Sequence, residues 1–543
     1  MKQLGILDSA FINLEHATTP QHIGGMGIYD PSTAPGSFVR FKDVIARFEQ
    51  KLNKLPLFST RLVQVPGGHD KPYWVKDANF DVEFHLRHIA LPQPGDWRQL
   101  CILIARLHAR PLDMNRPLWE AYIIEGLDNI SNLPKGCFAV YTKMHHALVD
   151  GSGGASFMSA LHDLEPDPVD EIEDETNEIV TIPDRQPSAI YMRTNALLNR
   201  VKNYSSITRG SLGLGKELSR TLWGMAKGTI PAPQINAPKC RFNRPVGPYR
   251  VFEAALLELD GFKKIKNAAN CKVNDVAMAV IAGGMRKYLE HYNELPAEPL
   301  NTGIPLNMRT RRGETNENNQ LGSVFACLHT NIEDPMERLK AIHKSANEAK
   351  EFGENNPMVD TLKMAGLFSP RLTSRLVQFY INNKLTERLP VGISTVISNV
   401  PGPNFPLYSC GAKLVQYHGL GLLTPGVGLF HLVFSYCGTV TITIVGDRDI
   451  MPDPAFYRQC IEDSYKELIA ASDKKTKKVV RRKKAASSKS TASSKTASTP
   501  KTASSAKTAA KTRLNVVAKE TTTKEKESST PADSSEESEK KSA

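Results

Sequence analysis

The chain has 543 residues, more than one ordinary core accommodates, so two domains plus additional segments are expected. Its 40% hydrophobic and 23% charged side chains are usual for a soluble globular protein. The formal charge of +12 suggests a nucleic-acid binder, but 19 Lys/Arg against 8 Asp/Glu lie beyond Ser472, which leaves 50 against 49 in the preceding chain. The basicity belongs to a tail, and the body is nearly neutral.

Met1–Lys2 leads into a mixed segment rather than the apolar stretch of a secretory signal. No window reaches the roughly 18 uninterrupted apolar residues of a membrane-spanning helix; the longest candidate, Val276–Met285, is too short. Membrane contact is therefore expected to be peripheral and the location cytoplasmic. The eight cysteines stand singly at positions 101, 137, 240, 271, 327, 410, 437 and 460, without CxxC spacing. That excludes a zinc ribbon and points to reduced thiols, most of them small apolar core residues.

In chain order, residues 1–165 alternate strands and helices. Phe138–Met144 reads as a partly buried strand from its β-branched and aromatic content, and Ala155–Leu164 has helical apolar spacing. Residues 166–250 read as a linker, acidic and proline-bearing to about Asp184. It then turns basic: residues 186–250 hold eleven Lys/Arg and the single acid Glu217. Two basic amphipathic helices are expected there, packed between domains or lying on an anionic membrane. Residues 251–472 resume the alternation, with a strand at Val251–Leu259, a helix at Val273–His291 and a strand at Val440–Val445. The two halves suggest related α/β lobes, although no close internal repeat supports duplication. Residues 473–543, rich in Lys, Ala, Ser and Thr, are expected to be disordered and to suit polyanions without reading bases.

The informative stretch is Met144-His145-His146-Ala147-Leu148-Val149-Asp150-Gly151. Acyl transfer from a thioester to an alcohol needs a base. A neutral imidazole, with a reference pKa of roughly 6.5, can take the hydroxyl proton near neutrality and return it to the leaving thiolate. On this reading His146 is the base and His145 supports it. Asp150 fixes the turn by pairing with an arginine, and Gly151 allows a backbone approach that a Cβ would obstruct. A structural His-His pair at a strand end remains the bland alternative. The absence of a GxSxG elbow and of an HExxH or other metal spacing leaves no signal for a serine acyl-enzyme or a metal-bound water. His145 to Asp150 also fits HxxxxD, as in glycerophosphate acyltransferases, whereas His146 to Asp150 fits HxxxD; the spacing alone leaves both open.

Over roughly residues 4–470 the sequence resembles the bacterial wax ester synthase/diacylglycerol acyltransferase family. The resemblance is carried by LDSAFINLEHATTPQHIGG (Leu7–Gly25), RPLWE (Arg116–Glu120), HHALVDG, VNDV (Val273–Val276), IPLNMR (Ile304–Arg309), SNVPGP (Ser398–Pro403) and SYCG (Ser435–Gly438). Each motif is short, but their order is specific. The resemblance implies two chloramphenicol-acetyltransferase-like α/β lobes with a central tunnel, HHxxxDG at its middle, open to acyl-CoA on one side and an acceptor alcohol on the other. It implies no bound cofactor and no metal, acyl-CoA as co-substrate, a long-chain alcohol or diacylglycerol as acceptor, and a location at the inner membrane or lipid inclusions.

Within that frame Asn274 or a backbone N–H is the candidate oxyanion donor, Asp275 organises its own loop, and Arg309 is the candidate partner of Asp150. Trp119 is expected in the core, and Pro401, Gly402 and Pro403 in a tight turn along the tunnel wall. The chain departs from the family at Phe430-His431, where an asparagine is common, which leaves the acceptor wall open; His431 is read as a satisfied core histidine. Three rivals stand beside this reading: a condensation domain with carrier-bound substrates, a non-catalytic lipid-droplet coat, and a nucleic-acid binder resting only on the tail.

Overall fold

The computed structural model describes residues 2–52, 55–148, 161–167, 186–201, 223, 238–307, 321–355, 370–388 and 392–492, with the backbone alone at 306–307, 321–323, 353–355 and 476–492. Residues 1–481 form one unit and 482–543 another. The first half runs β1 (Lys2–Gln3), α1 (Ile6–Leu14), β2 (His22–Asp30), α2 (Phe41–Leu52), β3 (Thr60–Val63), β4 (Tyr73–Lys76), α3 (Val82–His85), β5 (Leu86–Ala90), α4 (Trp97–Ala109), β6 (Trp119–Glu125) and β7 (Phe138–His145). The second half supplies β8 (Arg250–Glu258), β9 (Asn301–Asn307), β10 (Leu321–Cys327), β11 (Thr395–Pro401), β12 (Tyr408–Ser409), β13 (Ala412–Leu420), β14 (Leu429–Tyr436) and β15 (Thr439–Asp447), with five longer helices among and after them in the described residues.

Two six-stranded mixed sheets organise these elements. One has the order β12-β13-β2-β7-β6-β5 and the other β10-β9-β11-β14-β15-β8. A small β1-β4-β3 sheet flanks the first. The division of the lobes at residues 165 and 251 misses one exchange: β12 and β13, from the C-terminal half, complete the N-terminal sheet. β13 pairs antiparallel with β2, Tyr417 opposite Gly27 and Gly419 opposite Gly25. Short strand motifs carry no signal for which sheet they join, because pairing is a long-range contact.

Strand β7 is buried along its whole length. One face (Phe138, Val140, Met144) joins a core with Val44, Phe48 and Trp119, and the other (Ala139, Tyr141) joins a core with Leu100 and Ile104 of α4. Burial on both faces explains why this strand reads as a nearly continuous apolar run. Its one cation, Lys143, is wholly buried, and its ammonium donates to the carbonyls of Leu107 and Arg110 beside Glu120.

The helix Val273–His291 has the bounds its periodicity predicts and is the spine of the second core. The apolar run Val276–Met285 is therefore a buried helix interior. A Cβ on Gly284 would lie 3.2 Å from the backbone of Ile461, so glycine there allows close approach of the final helix, Pro454–Ala492. That helix passes through the boundary expected after Ser472 and continues to Ala492. No described helix is long and apolar enough to cross a membrane.

The expected helix at Ala155–Leu164 lies outside the described residues up to position 160, as does most of the linker; Leu161 is helical, but Asp163 has left the helix to bridge Tyr408. Residues 189–201 are helical, with Met192 and Ala196 packed on Val63, Val65, Tyr73 and Val75. Ile190, Leu197, Leu198 and Val201 face outward, each at least 60% exposed.

Candidate active site

The histidine pair lies where β7 ends. His145 closes the ladder opposite His22, and a tight turn follows in which the Leu148 N–H donates to the His145 carbonyl at 2.9 Å. Within that turn the Ala147 N–H donates to His145 Nδ1 at 3.0 Å. An accepting Nδ1 carries no proton, so the proton of the neutral ring sits on Nε2, which lies 3.3 Å from Glu15 Oε2.

Helix α1 forms the other side of the site. Phe11 stacks on the His146 ring, with centroids 4.0 Å apart and planes 14° from parallel. One turn on, Glu15 accepts the Gln21 N–H at 2.6 Å, and the Gln21 carbonyl accepts the His146 N–H at 2.9 Å. One carboxylate thus ties the approach to β2, the His145 ring and, through Gln21, the His146 backbone.

His146 keeps part of its accessible surface, but its Nδ1 is fully enclosed. Burial lowers its pKa to about 4, partly opposed by a hydrogen bond with its own backbone carbonyl and reinforced by the nearby His145. The ring is therefore neutral across the physiological range, the protonation state that a general base requires. Sequence reasoning took the reference value near 6.5; desolvation, with Phe11 pressed against the ring, accounts for the difference.

Of the other candidates, Asp150, Gly151 and Arg309 lie outside the described residues. Asn274 sits at the start of the helix Val273–His291, where its Oδ1 accepts from Asn399 Nδ2 at 3.1 Å. The VNDV and SNVPGP motifs thus meet across the second lobe. Asp275 is buried; its Oδ2 accepts the Lys272 N–H at 2.8 Å and lies 2.6 Å from His343 Nδ1, the geometry of a helix cap.

Trp119 is in the core, donating through Nε1 to the Phe58 carbonyl. His431 is fully buried between Thr395 Oγ1 at 2.9 Å and Tyr457 OH at 2.8 Å. Pro401 ends β11, and the Gly402 N–H donates to the Ser435 carbonyl, which leaves no room for a Cβ. Phe11, Glu15 and Gln21 were missed as functional residues. They lie inside the N-terminal motif Leu7–Gly25, which carried the family resemblance but no chemical pattern of its own. Among the described residues no group of three His, Cys, Asp or Glu could hold a metal ion.

The family model described as the wax ester synthase/diacylglycerol acyltransferase catalytic domain matches residues 4–277, and its C-terminal-domain counterpart matches 318–469. The chain belongs to this family. It is an acyltransferase, of a family that uses acyl-CoA. A probable diacylglycerol O-acyltransferase of Mycobacterium tuberculosis is 32% identical over 85% of this chain and 97% of its own. The O-acyltransferase WSD of Acinetobacter baylyi is 29% identical over 83% and 93%. Among solved structures, the wax ester synthase/diacylglycerol acyltransferase of Marinobacter aquaeolei matches with a TM-score of 0.59 and 26% identity, over 87% of this chain and 100% of that one. A condensation domain of the calcium-dependent antibiotic synthetase shares the fold at 12% identity and a TM-score of 0.51, over 87% and 96%.

Two outcomes follow for this acyltransferase. Burial lowers the pKa values of His108, His418 and His431 to about 3. All three are at most 3% exposed. Their neutral forms are built into the fold, so stability is full above the unfolded value of roughly 6.5 and falls as pH drops towards the folded values. Each contributes a slope of about 1.4 kcal/mol per pH unit in that window. With His146, lowered to about 4, added to these three, denaturant melts at pH 7, 6 and 5 should show about four or more protons taken up on unfolding at pH 5; a flat profile would refute this. For Glu15, replacement by Gln keeps an acceptor for Gln21 but loses the charge facing His145. We expect kcat to fall roughly 10- to 100-fold, with KM for acyl-CoA nearly unchanged; a change confined to KM would assign Glu15 to substrate binding.

Proposed function

We propose that this enzyme esterifies a long-chain alcohol or a diacylglycerol with an acyl group from coenzyme A, with His146 as general base in direct transfer. The supporting observation is a neutral imidazole held by ring stacking and a backbone hydrogen bond at the end of a fully buried strand. His146 takes the acceptor hydroxyl proton as the oxygen attacks the thioester carbonyl. The tetrahedral oxyanion then collapses, the C–S bond breaks, and the imidazolium returns the proton to the thiolate of coenzyme A.

Asn274 suits the oxyanion. Its Oδ1 is engaged by Asn399, which directs its amide N–H groups elsewhere as donors. His145 acts through the turn, as a ring held by the Ala147 N–H on Nδ1 with its Nε2 facing Glu15 at 3.3 Å. Asp150 paired with Arg309 holds the far side of the turn, and Gly151 allows close backbone approach. A central tunnel between the lobes, open to acyl-CoA from one side and the alcohol from the other, would exclude hydrolytic water from the thioester.

The test is acyl transfer by the His146→Ala protein, with acyl-CoA as donor and fatty alcohol and diacylglycerol as parallel acceptors. Rate should fall on the order of 10²–10⁴, while a near-normal rate would remove His146 from the mechanism. In the wild type, kcat/KM should stay level as pH falls through roughly 6.5 and decline only towards the lowered value of about 4. Replacing acyl-CoA with an acyl carrier protein in the same assay separates this reading from a carrier-dependent condensation reaction.

The enzyme works at the surface of the inner membrane or of lipid inclusions, and its basic tail engages polyanions without specificity. Two features support this: the outward apolar face of residues 189–201, interspersed with Arg193 and Arg200, and the excess of basic residues beyond Ser472. Flotation with anionic vesicles tests both. Leu197→Glu with Leu198→Glu should abolish retention at high salt, and a chain ending at Ser472, which removes the 19 Lys/Arg of the tail, should lose only the salt-sensitive part. Retention unaffected by either change would overturn the assignment.

A further inference from the structure

The sheet face that leads to His146 is grooved. On this face β7 presents Phe138, Val140, Thr142 and Met144, and His146 continues the alternation. Opposite them β2 presents Tyr29, Gly27 and Gly25. The two glycines leave a floor without side chains. A Cβ at Gly25 would lie 2.1 Å from Tyr417 OH, and one at Gly27 would lie 2.8 Å from the Tyr29 ring. Val44 and Phe48 of α2 form the roof.

A cavity follows this groove from Phe138 to Thr142, short of Met144 and His146, and no Asp, Glu, Lys or Arg lines it among the described residues. At the far end Tyr29 stacks on Phe138 and hydrogen-bonds to His162 Nε2 at 2.8 Å. Beyond Val44 and Phe138, which line both spaces, lies a second cavity of about 390 Å³. It is apolar at Val39, Phe41 and Ile123 and polar at Asp30 and Lys135, as suits a mouth that meets water. Phe38, 62% exposed, stands on its wall.

We propose that this groove houses a long aliphatic chain of one substrate and that Phe138 with Val44 sets the chain length accepted. The proposal rests on the function assigned above and names a subsite for it. Strand geometry supplies the scale: eight residues from His146 to Phe138 span roughly 26 Å. An extended sixteen-carbon chain measures on the order of 20 Å from its bond lengths. A chain whose reacting end is at His146 therefore reaches Val140, and one about five carbons longer reaches the Phe138–Val44 partition. The inner void is now about 20 Å³, little more than a water-sized space. The chain displaces Tyr417, whose ring lies across Gly25.

Chain-length profiles of kcat/KM test this, one with acyl-CoA donors and one with fatty alcohol acceptors. Phe138→Ala joins the two cavities and should move the optimum to longer chains. Val44→Phe fills the groove and should move it to shorter ones, each excluded methylene costing roughly three- to fourfold. A shift in the donor series alone assigns the groove to the acyl chain, and a shift in the acceptor series alone assigns it to the alcohol; either supports the proposal. Unmoved optima in both series, in variants with a wild-type circular dichroism spectrum, would overturn it. Phe138→Leu and Val44→Met give the same directions if the larger changes prevent folding. Titrating acyl-CoA and fatty alcohols of increasing length into the His146→Ala protein reads the groove without turnover. Loss of the base assignment and loss of the groove are therefore separate results.

Discussion

The geometry of the site depends on one junction, the end of β7 held against the end of α1. A strand end is the least constrained part of a sheet, because its last residues lack a partner on one side. Here the constraint is restored by Phe11 on the His146 ring, by the Gln21 carbonyl on the His146 N–H, and by Glu15 against His145. The stacking and the hydrogen bonds act on different degrees of freedom. The ring contact fixes the side-chain torsion, the backbone bond fixes the position of the Cα, and the Ala147 N–H on Nδ1 fixes the tautomer of the neighbouring imidazole. A base so held loses little orientational freedom when substrate binds, which is where much of the advantage of a preorganised site arises.

The same junction determines the ring's charge. Burial against an aromatic face removes water from the imidazole and disfavours its protonated form. Glu15, the nearby anion, is spent on His145 and Gln21, so its charge does not reverse that effect on His146. The cost of keeping an imidazole neutral in this way is borne by the fold. The exchange of β12 and β13 into the N-terminal sheet supplies part of the compensation, because it packs residues of both halves into one core around Trp119 and Phe434. The N-terminal sheet is completed by strands of the other half, whereas all six strands of the second sheet come from residues 250–447.

Much of this was legible in the sequence. The strand before the histidines and the helix Val273–His291 carry strong local patterns, and both form where periodicity predicts. Trp119 and His431 are satisfied core groups, as their types suggest. The exchange of Ala412–Leu420 was not legible, since its alternation suits either sheet and only the register with β2 decides. Phe11 and Glu15 were hidden for a related reason. Phe11 is an ordinary helix residue and Glu15 the C-cap of the same helix, each about 130 positions from its histidine, and only the fold brings them together. The expected partnership of Asp150 with Arg309 falls on residues outside the description, so the resemblance remains its support.

The groove and the base are linked by strand periodicity. Because side chains alternate, the residues that line a path to His146 are fixed once His146 faces that side: Met144, Thr142, Val140 and Phe138 on β7, and their cross-strand partners on β2. Glycine at two of those partners is costly for a strand, which loses β-propensity and packing at each. Such a loss in a central strand calls for a compensating use, and here two tyrosine rings lie across the bare backbone instead. Rings can rotate aside where a Cβ cannot. A strand floored with glycine and covered by tyrosine can therefore be closed when empty and open to a slender apolar guest, on the one face where that guest would end at the imidazole.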